Sequence, residues 1–226
     1  MSLLPLVKGD FRLQYKYGFY MLYLLLCALY IGILLLLPEN VRDMAAVIMI
    51  FSDPAAMGLF FLGAIVLFEQ SQHVVQSLAV SPVTAKEYVL SKLLSLSLVS
   101  TGAGLLIALF SAGGLNIYSL LPGVFLGSLL FSAVGMILAA HAATLNRFLL
   151  ATVPAEILII LPAIAWLFGL RPELLILHPG VCVIALLQGA EHSWTAFFVL
   201  LLWTAGFFLL AARSAGRMMS RMGGGV

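Results

Sequence analysis

Long uncharged runs alternate with short polar clusters along this chain, and the runs are of membrane-crossing length. Phe19 to Leu37 carries no charge and stops at Pro38-Glu39-Asn40, a turn signal after enough apolar residues to span a bilayer. A second run, about Met44 to Phe68, is interrupted by Asp53-Pro54 and turns polar through Glu69-Gln70-Ser71-Gln72-His73. The third starts near Lys92 and ends at Ser111-Ala112-Gly113-Gly114, and the fourth is Leu120 to Ala140, closed by Asn146-Arg147. Phe148 to Leu170, with Pro154, Glu156 and Pro162 inside, is the fifth; Ser193 to Ala212 is the sixth. Between these two, Leu174 to Ala190 is apolar but broken at His178-Pro179-Gly180 and too short to cross, which predicts a re-entrant pair of short helices.

The pattern predicts an all-α integral membrane protein. An amphipathic interface helix covers 1–18, six transmembrane helices cover 19–212 with a broken extracellular hairpin at 171–192, and a cytoplasmic tail covers 213–226. In the first segment Pro5 suits an opening turn, Val7, Phe11 and Tyr15 repeat every four residues, and Lys8, Arg12 and Lys16 form the adjoining stripe. That stripe suits anionic headgroups of the bilayer, or serves simply as a basic flank. The first span is longer than a signal-peptide core and is followed by no Ala-x-Ala site, so it is read as retained. The Gly223-Gly224-Gly225 tail is read as disordered.

Composition narrows the class. Of 226 residues, 63% are hydrophobic and 9% charged, against about 25% charged in soluble domains. Six spans use on the order of 120 positions, which leaves no room for a sizeable soluble domain. Basic residues give the orientation, because Lys and Arg of short loops stay inside. With the N-terminus inside, Lys8, Arg12, Lys16, Lys86, Lys92, Arg147, Arg213, Arg217 and Arg221 are cytoplasmic, nine of the 11, and only Arg42 and Arg171 are outside. An even number of spans and two cytoplasmic termini follow. Cys27 and Cys182 both lie in apolar stretches and read as small core residues rather than a disulfide.

The segment 69–92 carries the densest local signals. Val74, Val75, Leu78 and Ala79 have helical spacing, Ser81-Pro82 breaks it, and Thr84-Ala85-Lys86-Glu87 is a capping box that restarts a helix leading into the third span. A helix, a break and a capped helix make a rigid cytoplasmic hairpin, either a lever for a soluble partner or a well-ordered loop.

These residues also carry a resemblance. Glu69, Ser77-Leu78, the run Val80-Ser81-Pro82-Val83-Thr84-Ala85-Lys86-Glu87-Tyr88 and Lys92-Leu93-Leu94 resemble the coupling loop of ABC type-two exporter permeases. Leu177-His178-Pro179 is similar to the Asn-Pro or Ser-Pro element of that family's extracellular hairpin, and Phe11-Arg12-Leu13-Gln14-Tyr15-Lys16-Tyr17-Gly18-Phe19-Tyr20 is similar to permeases of fluoroquinolone export. The stretch Gln70-Ser71-Gln72-His73 departs from the charged residues and glycine common there. The resemblance implies a dimer of permease chains, identical or not, docked on two ABC ATPase subunits that hold ATP and Mg. It implies ATPase-coupling roles for Glu69, His73, Val75, Leu78, Ser81, Pro82, Thr84 and Glu87. Independently, a phosphate loop needs Gly-Lys-Ser/Thr, and the four lysines here follow Val7, Tyr15, Ala85 and Ser91.

No cofactor, metal, nucleic acid or catalytic residue is expected on this chain. Glu156, a carboxylate inside a span, is a candidate for the translocation path or dimer seam, or else a structural partner of Arg147 or a hydroxyl. Asp53 is a second candidate for the path, or marks a kink or helix edge. Gly123 and Gly127 fit small-xxx-small packing. The resemblance implies an amphiphilic substrate, a drug, peptide or lipid, with haem as a variant. The other class of reading is an intramembrane metal-dependent enzyme using His178, Glu191 and His192, for which no His-Glu-x-x-His motif is present.

Overall fold

The computed structural model describes residues 3–79, 81–113, 115–189 and 193–222; of residues 53–57 and 79 only the backbone is described. Val80, Gly114, Ala190, Glu191, His192 and the glycine tail therefore lie outside the described residues, as does the side chain of Asp53. Every described element is helical. In order they are α1 (Leu3–Lys16), α2 (Phe19–Leu36), α3 (Glu39–Asp53), a π-helical stretch (Pro54–Phe61), α4 (Leu62–Ser71), α5 (Val74–Ala79), α6 (Ala85–Ala108), α7 (Ile117–His141), α8 (Leu145–Leu167), a 3-10 helix (Glu173–Leu177), α9 (Pro179–Gln188) and α10 (Ser193–Met222). Among the described residues five helices are long and apolar enough to cross a membrane: α2, α6, α7, α8 and α10.

The remaining predicted span, 44–68, is a composite. Its helix starts at Glu39, passes through Asp53-Pro54 without ending, and changes to π winding over Pro54–Phe61 before α4. Pro54 removes an amide donor from the ladder, and a π turn redistributes the carbonyls left without partners. This stretch lies against α7 where Gly135 admits the carbonyl of Leu59 so closely that a methyl there would overlap it. On the same side of α7, the Ser128 and Ser132 hydroxyls are buried and find no hydrogen-bond partner among the described residues.

One helix boundary matches the sequence reading and another extends it. The helix that carries the third predicted span starts at Ala85, where the capping box predicted it: Thr84 Oγ1 accepts from the Glu87 amide at 3.3 Å, and the Thr84 amide donates to Glu87 Oε2 at 2.8 Å. The last helix does not stop at Ala212. Residues 213–222, read as tail, continue α10, and Ala215, Met218 and Met219 are buried beneath the 69–92 segment. The hairpin region holds the 3-10 helix and α9, which has Pro179 in its first turn and ends at Gly189 in the left-handed conformation.

Helix α7 occupies the centre, with α6, α10, α9 and the π stretch packed on it. Helices α2 and α8 are the most exposed of the long ones; on α8, Leu150, Leu158 and Leu161 point out of the fold. One apolar cluster lies around α3, α7 and α9. The other joins Leu62, Val66, Leu93, Leu96, Met136 and Met218 to Val75 and Val83 of the 69–92 segment. That segment is thus built into the fold at one end of the bundle.

Candidate functional site

Helix α6 presents Tyr88, Ser91, Lys92 and Ser95 at helical spacing toward α1 and α4, and all four side chains are buried. Lys92 Nζ donates to Glu69 Oε1 of α4 at 2.6 Å and to Asp10 Oδ1 of α1 at 2.9 Å. Tyr88 Oη donates to Glu69 Oε2 at 2.7 Å, and Ser91 Oγ donates to Asp10 Oδ2. One turn further on, Gln14 Nε2 donates to Ser95 Oγ at 2.9 Å, and beyond it the Tyr23 and Ser100 hydroxyls share a hydrogen bond of 2.9 Å. Both oxygens of each carboxylate therefore have donors, the condition under which burying ionic groups is tolerable. Charge-assisted bonds of this kind are stronger than neutral ones.

This arrangement changes the reading of α1. Of the stripe, Val7 and Phe11 are half-buried and Tyr15 is 77% exposed, whereas Gln14 is buried and Asp10 points into the ion pair. The buried side is Leu6, Asp10, Leu13 and Gln14, so α1 turns a polar face into the protein and leaves its basic stripe, Lys8, Arg12 and Lys16, exposed. The carboxylate and amide that α1 buries find donors and acceptors on α6.

The ATPase-coupling candidates separate into two groups. Glu69 and Val75 are buried, the first in the ion pair and the second in the apolar cluster, and Leu78 is half-buried against that cluster. Glu69 and Val75 shape the segment from within, while Leu78 keeps part of its side chain at the surface. His73, in the left-handed conformation at φ +60° between α4 and α5, is exposed, as are Pro82 and Thr84. Ser81 Oγ donates to the Leu78 carbonyl at 2.7 Å and accepts from the Val83 amide at 3.3 Å, which fixes the break before Pro82. The outward surface of the segment consists of Gln72, His73, Gln76, Ser77, Pro82, Thr84 and Lys86, with Glu87 half-buried beside it.

At the same end of the bundle a cavity of about 710 Å³ opens between the α1–α2 corner, the last two turns of α4, the α7–α8 connection and Met222. Gly18, at φ 74°, makes the corner. Close to the lining, Gly63 of α4 is overlain by the Phe148 ring of α8, where any side chain at 63 would collide.

A family profile described as the fluoroquinolones export permease protein family matches residues 2–219. The chain belongs to that family. It is similar to the fluoroquinolones export permease proteins of two strains of Mycobacterium tuberculosis, each 27% identical over 172 residues, covering 76% of this chain and 73% of the relative. The residues matched by the family profile take in α1, the ion-paired cluster, the cavity walls as far as Leu145 and most of α10.

The remaining candidates of this permease stand apart from the cluster. Glu156 is half-buried on α8, and among the described residues it makes no hydrogen bond or ion pair. Arg147 lies nine residues earlier on the same helix, about 13 Å along its axis, so the two do not pair. Asp53 ends α3 next to the π stretch. His178 precedes Pro179 at the start of α9, while Glu191 and His192 lie outside the described residues. Sequence reasoning missed Asp10, Gln14 and the structural role of Lys92. The available signal was the pair Asp10/Gln14 at i, i+4 opposite four polar positions on one face of α6.

Proposed function

We infer that this chain is the transmembrane permease subunit of an ATP-driven exporter, moving an amphiphilic substrate out of the cytoplasm by alternating access. ATP and Mg reside on a separate ABC ATPase subunit, and the permease works as a dimer of identical or related chains. The observation that carries this reading is the construction of the 69–92 segment. Its inner face is locked to α1 and α6 by Glu69, Lys92 and Asp10, and its outer face is left open. A push on α5, which packs on α4 and α10, is passed from α4 to α6 through these ionic contacts rather than through a flexible loop.

In this reading the α3, π and α4 stretch is the second of six spans, the 3-10 helix and α9 form a re-entrant extracellular hairpin, and both termini are cytoplasmic. Lys8, Arg12 and Lys16 lie at the headgroups of the inner leaflet. The names of the mycobacterial relatives support a drug-like amphiphile, a fluoroquinolone, among the substrates.

The test is co-expression with an ABC ATPase encoded beside the permease, followed by co-purification, ATP turnover and drug export in proteoliposomes. Ser77→Arg together with Gln76→Arg, two exposed changes, is expected to abolish ATPase association with unaltered melting. Full association of that double variant, or ATP-independent export by the wild type, overturns the reading.

A further inference from the structure

Helix α10 carries a groove on its exposed face, and the groove ends in charge. At 3.6 residues per turn, Leu202 and Leu209 stand on one side of Gly206 and Trp203 and Phe207 on the other, around a hollow of about 620 Å³. The Trp203 and Phe207 rings stack with centroids 5.8 Å apart, and Trp203 Nε1 donates to the Leu177 carbonyl at 2.9 Å, which fixes that wall. A Cβ on Gly206 would meet no atom within 4 Å, so the floor is open. Apart from Arg213 at one end, the lining is apolar or aromatic.

Arg213 also lines a second hollow, of about 490 Å³, together with Thr84, Ala85 and Lys86 at the start of α6; Leu209 is common to both. Beside it α10 lies close to α6, where a Cβ on Gly216 would stand 3.6 Å from that of Ala85. The fold thus brings cations from two helices to one recess. No acidic side chain lines either hollow. The neighbouring carboxylate, Glu87, accepts from the Thr84 amide at 2.8 Å and from its hydroxyl at 2.9 Å. Lys86 and Arg213 are exposed and make no ion pair among the described residues.

From Trp203 to Arg213 the groove runs about 15 Å along α10, half of a hydrocarbon core of about 30 Å. An apolar groove as long as one leaflet is deep, opening at its end onto two cations, matches an acyl chain followed by a phosphate. We propose that this is a binding site for an anionic phospholipid of the leaflet on the side of the 69–92 segment, with an acyl chain over Gly206 and the phosphate between Lys86 and Arg213. A second copy of the chain is the poorer occupant, because a two-fold contact presents the same cationic patch from both sides. The bound phosphate bridges the first turn of α6 to α10. The site goes beyond the exporter reading and stands whether or not an ATPase docks.

Trp203 supplies the readout. In a background of Trp166→Phe and Trp194→Phe it is the one tryptophan left of three, and lipids brominated on the acyl chain quench it on contact. The permease is placed in phosphatidylcholine nanodiscs doped with dibrominated phosphatidylglycerol or dibrominated phosphatidylcholine. The glycerol lipid is expected to quench Trp203 at a mole fraction at least about tenfold lower than the choline lipid, a ratio equivalent to about 1.4 kcal/mol. Lys86→Gln combined with Arg213→Gln is expected to remove that preference and leave quenching by the choline lipid unchanged. Gly206→Leu, whose side chain enters open space, is expected to remove it at unchanged melting temperature, and it decides alone if the charge variant melts early. Equal quenching by the two lipids in the parent chain overturns the proposal. Full preference in the charge variant overturns the phosphate seat, and full preference in Gly206→Leu overturns the groove. Relief of quenching by millimolar inorganic phosphate overturns the lipid in favour of a free anion. Disulfide cross-linking of Gly206→Cys between copies, without lipid preference, overturns it in favour of a dimer contact.

Discussion

Lys92 Nζ lies 2.6 Å from Glu69 Oε1, joining α4 to α6 across a segment of 23 residues, and the same nitrogen reaches Asp10 of α1 at 2.9 Å. One cation thus ties together the three helices that surround the outward-facing 69–92 surface.

Removing that cation leaves two carboxylates facing each other in a buried site. Lys92→Met is expected to destabilise the permease by about 3–5 kcal/mol, measured as unfolding in mixed micelles. Adding Glu69→Gln to it is expected to recover part of the loss, because one of the orphaned charges disappears. A double variant no more stable than Lys92→Met would show that the pair does not hold the segment.

The capping box acts more gently. Thr84→Ala removes an N-cap acceptor and is expected to cost about 0.5–2 kcal/mol. The complex with the ATPase should still assemble, with fewer substrate molecules exported per ATP hydrolysed. An unchanged ratio in proteoliposomes would remove the box from the coupling path.

Close packing near the cavity gives a steric prediction. A methyl on Gly63 overlaps the Phe148 ring, so Gly63→Ala is expected to lower the melting temperature, costing about 1–3 kcal/mol in stability as over-packed sites do. Phe148→Leu in the same chain vacates the overlapped volume. Failure of that second change to restore melting would mean that α4 and α8 do not pack there in the folded permease.

Among the described residues Glu156 makes no hydrogen bond or ion pair. Glu156→Gln is therefore expected to leave melting within about 0.5 kcal/mol of the wild type, as for positions outside any network, while changing export or substrate-stimulated ATP turnover. A large fall in stability would reveal a pair formed in the dimer, and unchanged transport would take Glu156 off the path.

Much of this architecture was legible in the sequence because its causes are local. The lengths of the uncharged runs set α2, α7 and α8 to within a few residues, since a bilayer demands a fixed number of apolar positions wherever they occur. Thr84 and Glu87 announced the start of α6, because a capping box is satisfied within one turn. The bend at Ser81-Pro82 was equally local. The tertiary structure alone decided what depends on which surfaces meet. A lysine counted as an inside charge turned out to be the buried centre of a cluster, since its partners, Asp10 and Glu69, stand 82 and 23 residues away. The basic helix α1 was read from its apolar stripe, yet it packs through Asp10 and Gln14. Hydropathy records only the cost of burying a polar group, whereas the folded chain also supplies the hydrogen bonds that offset it. The continuation of α10 past Ala212 has the same origin: its arginines suggested a tail, and Ala215, Met218 and Met219 hold it as helix against a segment more than a hundred residues earlier.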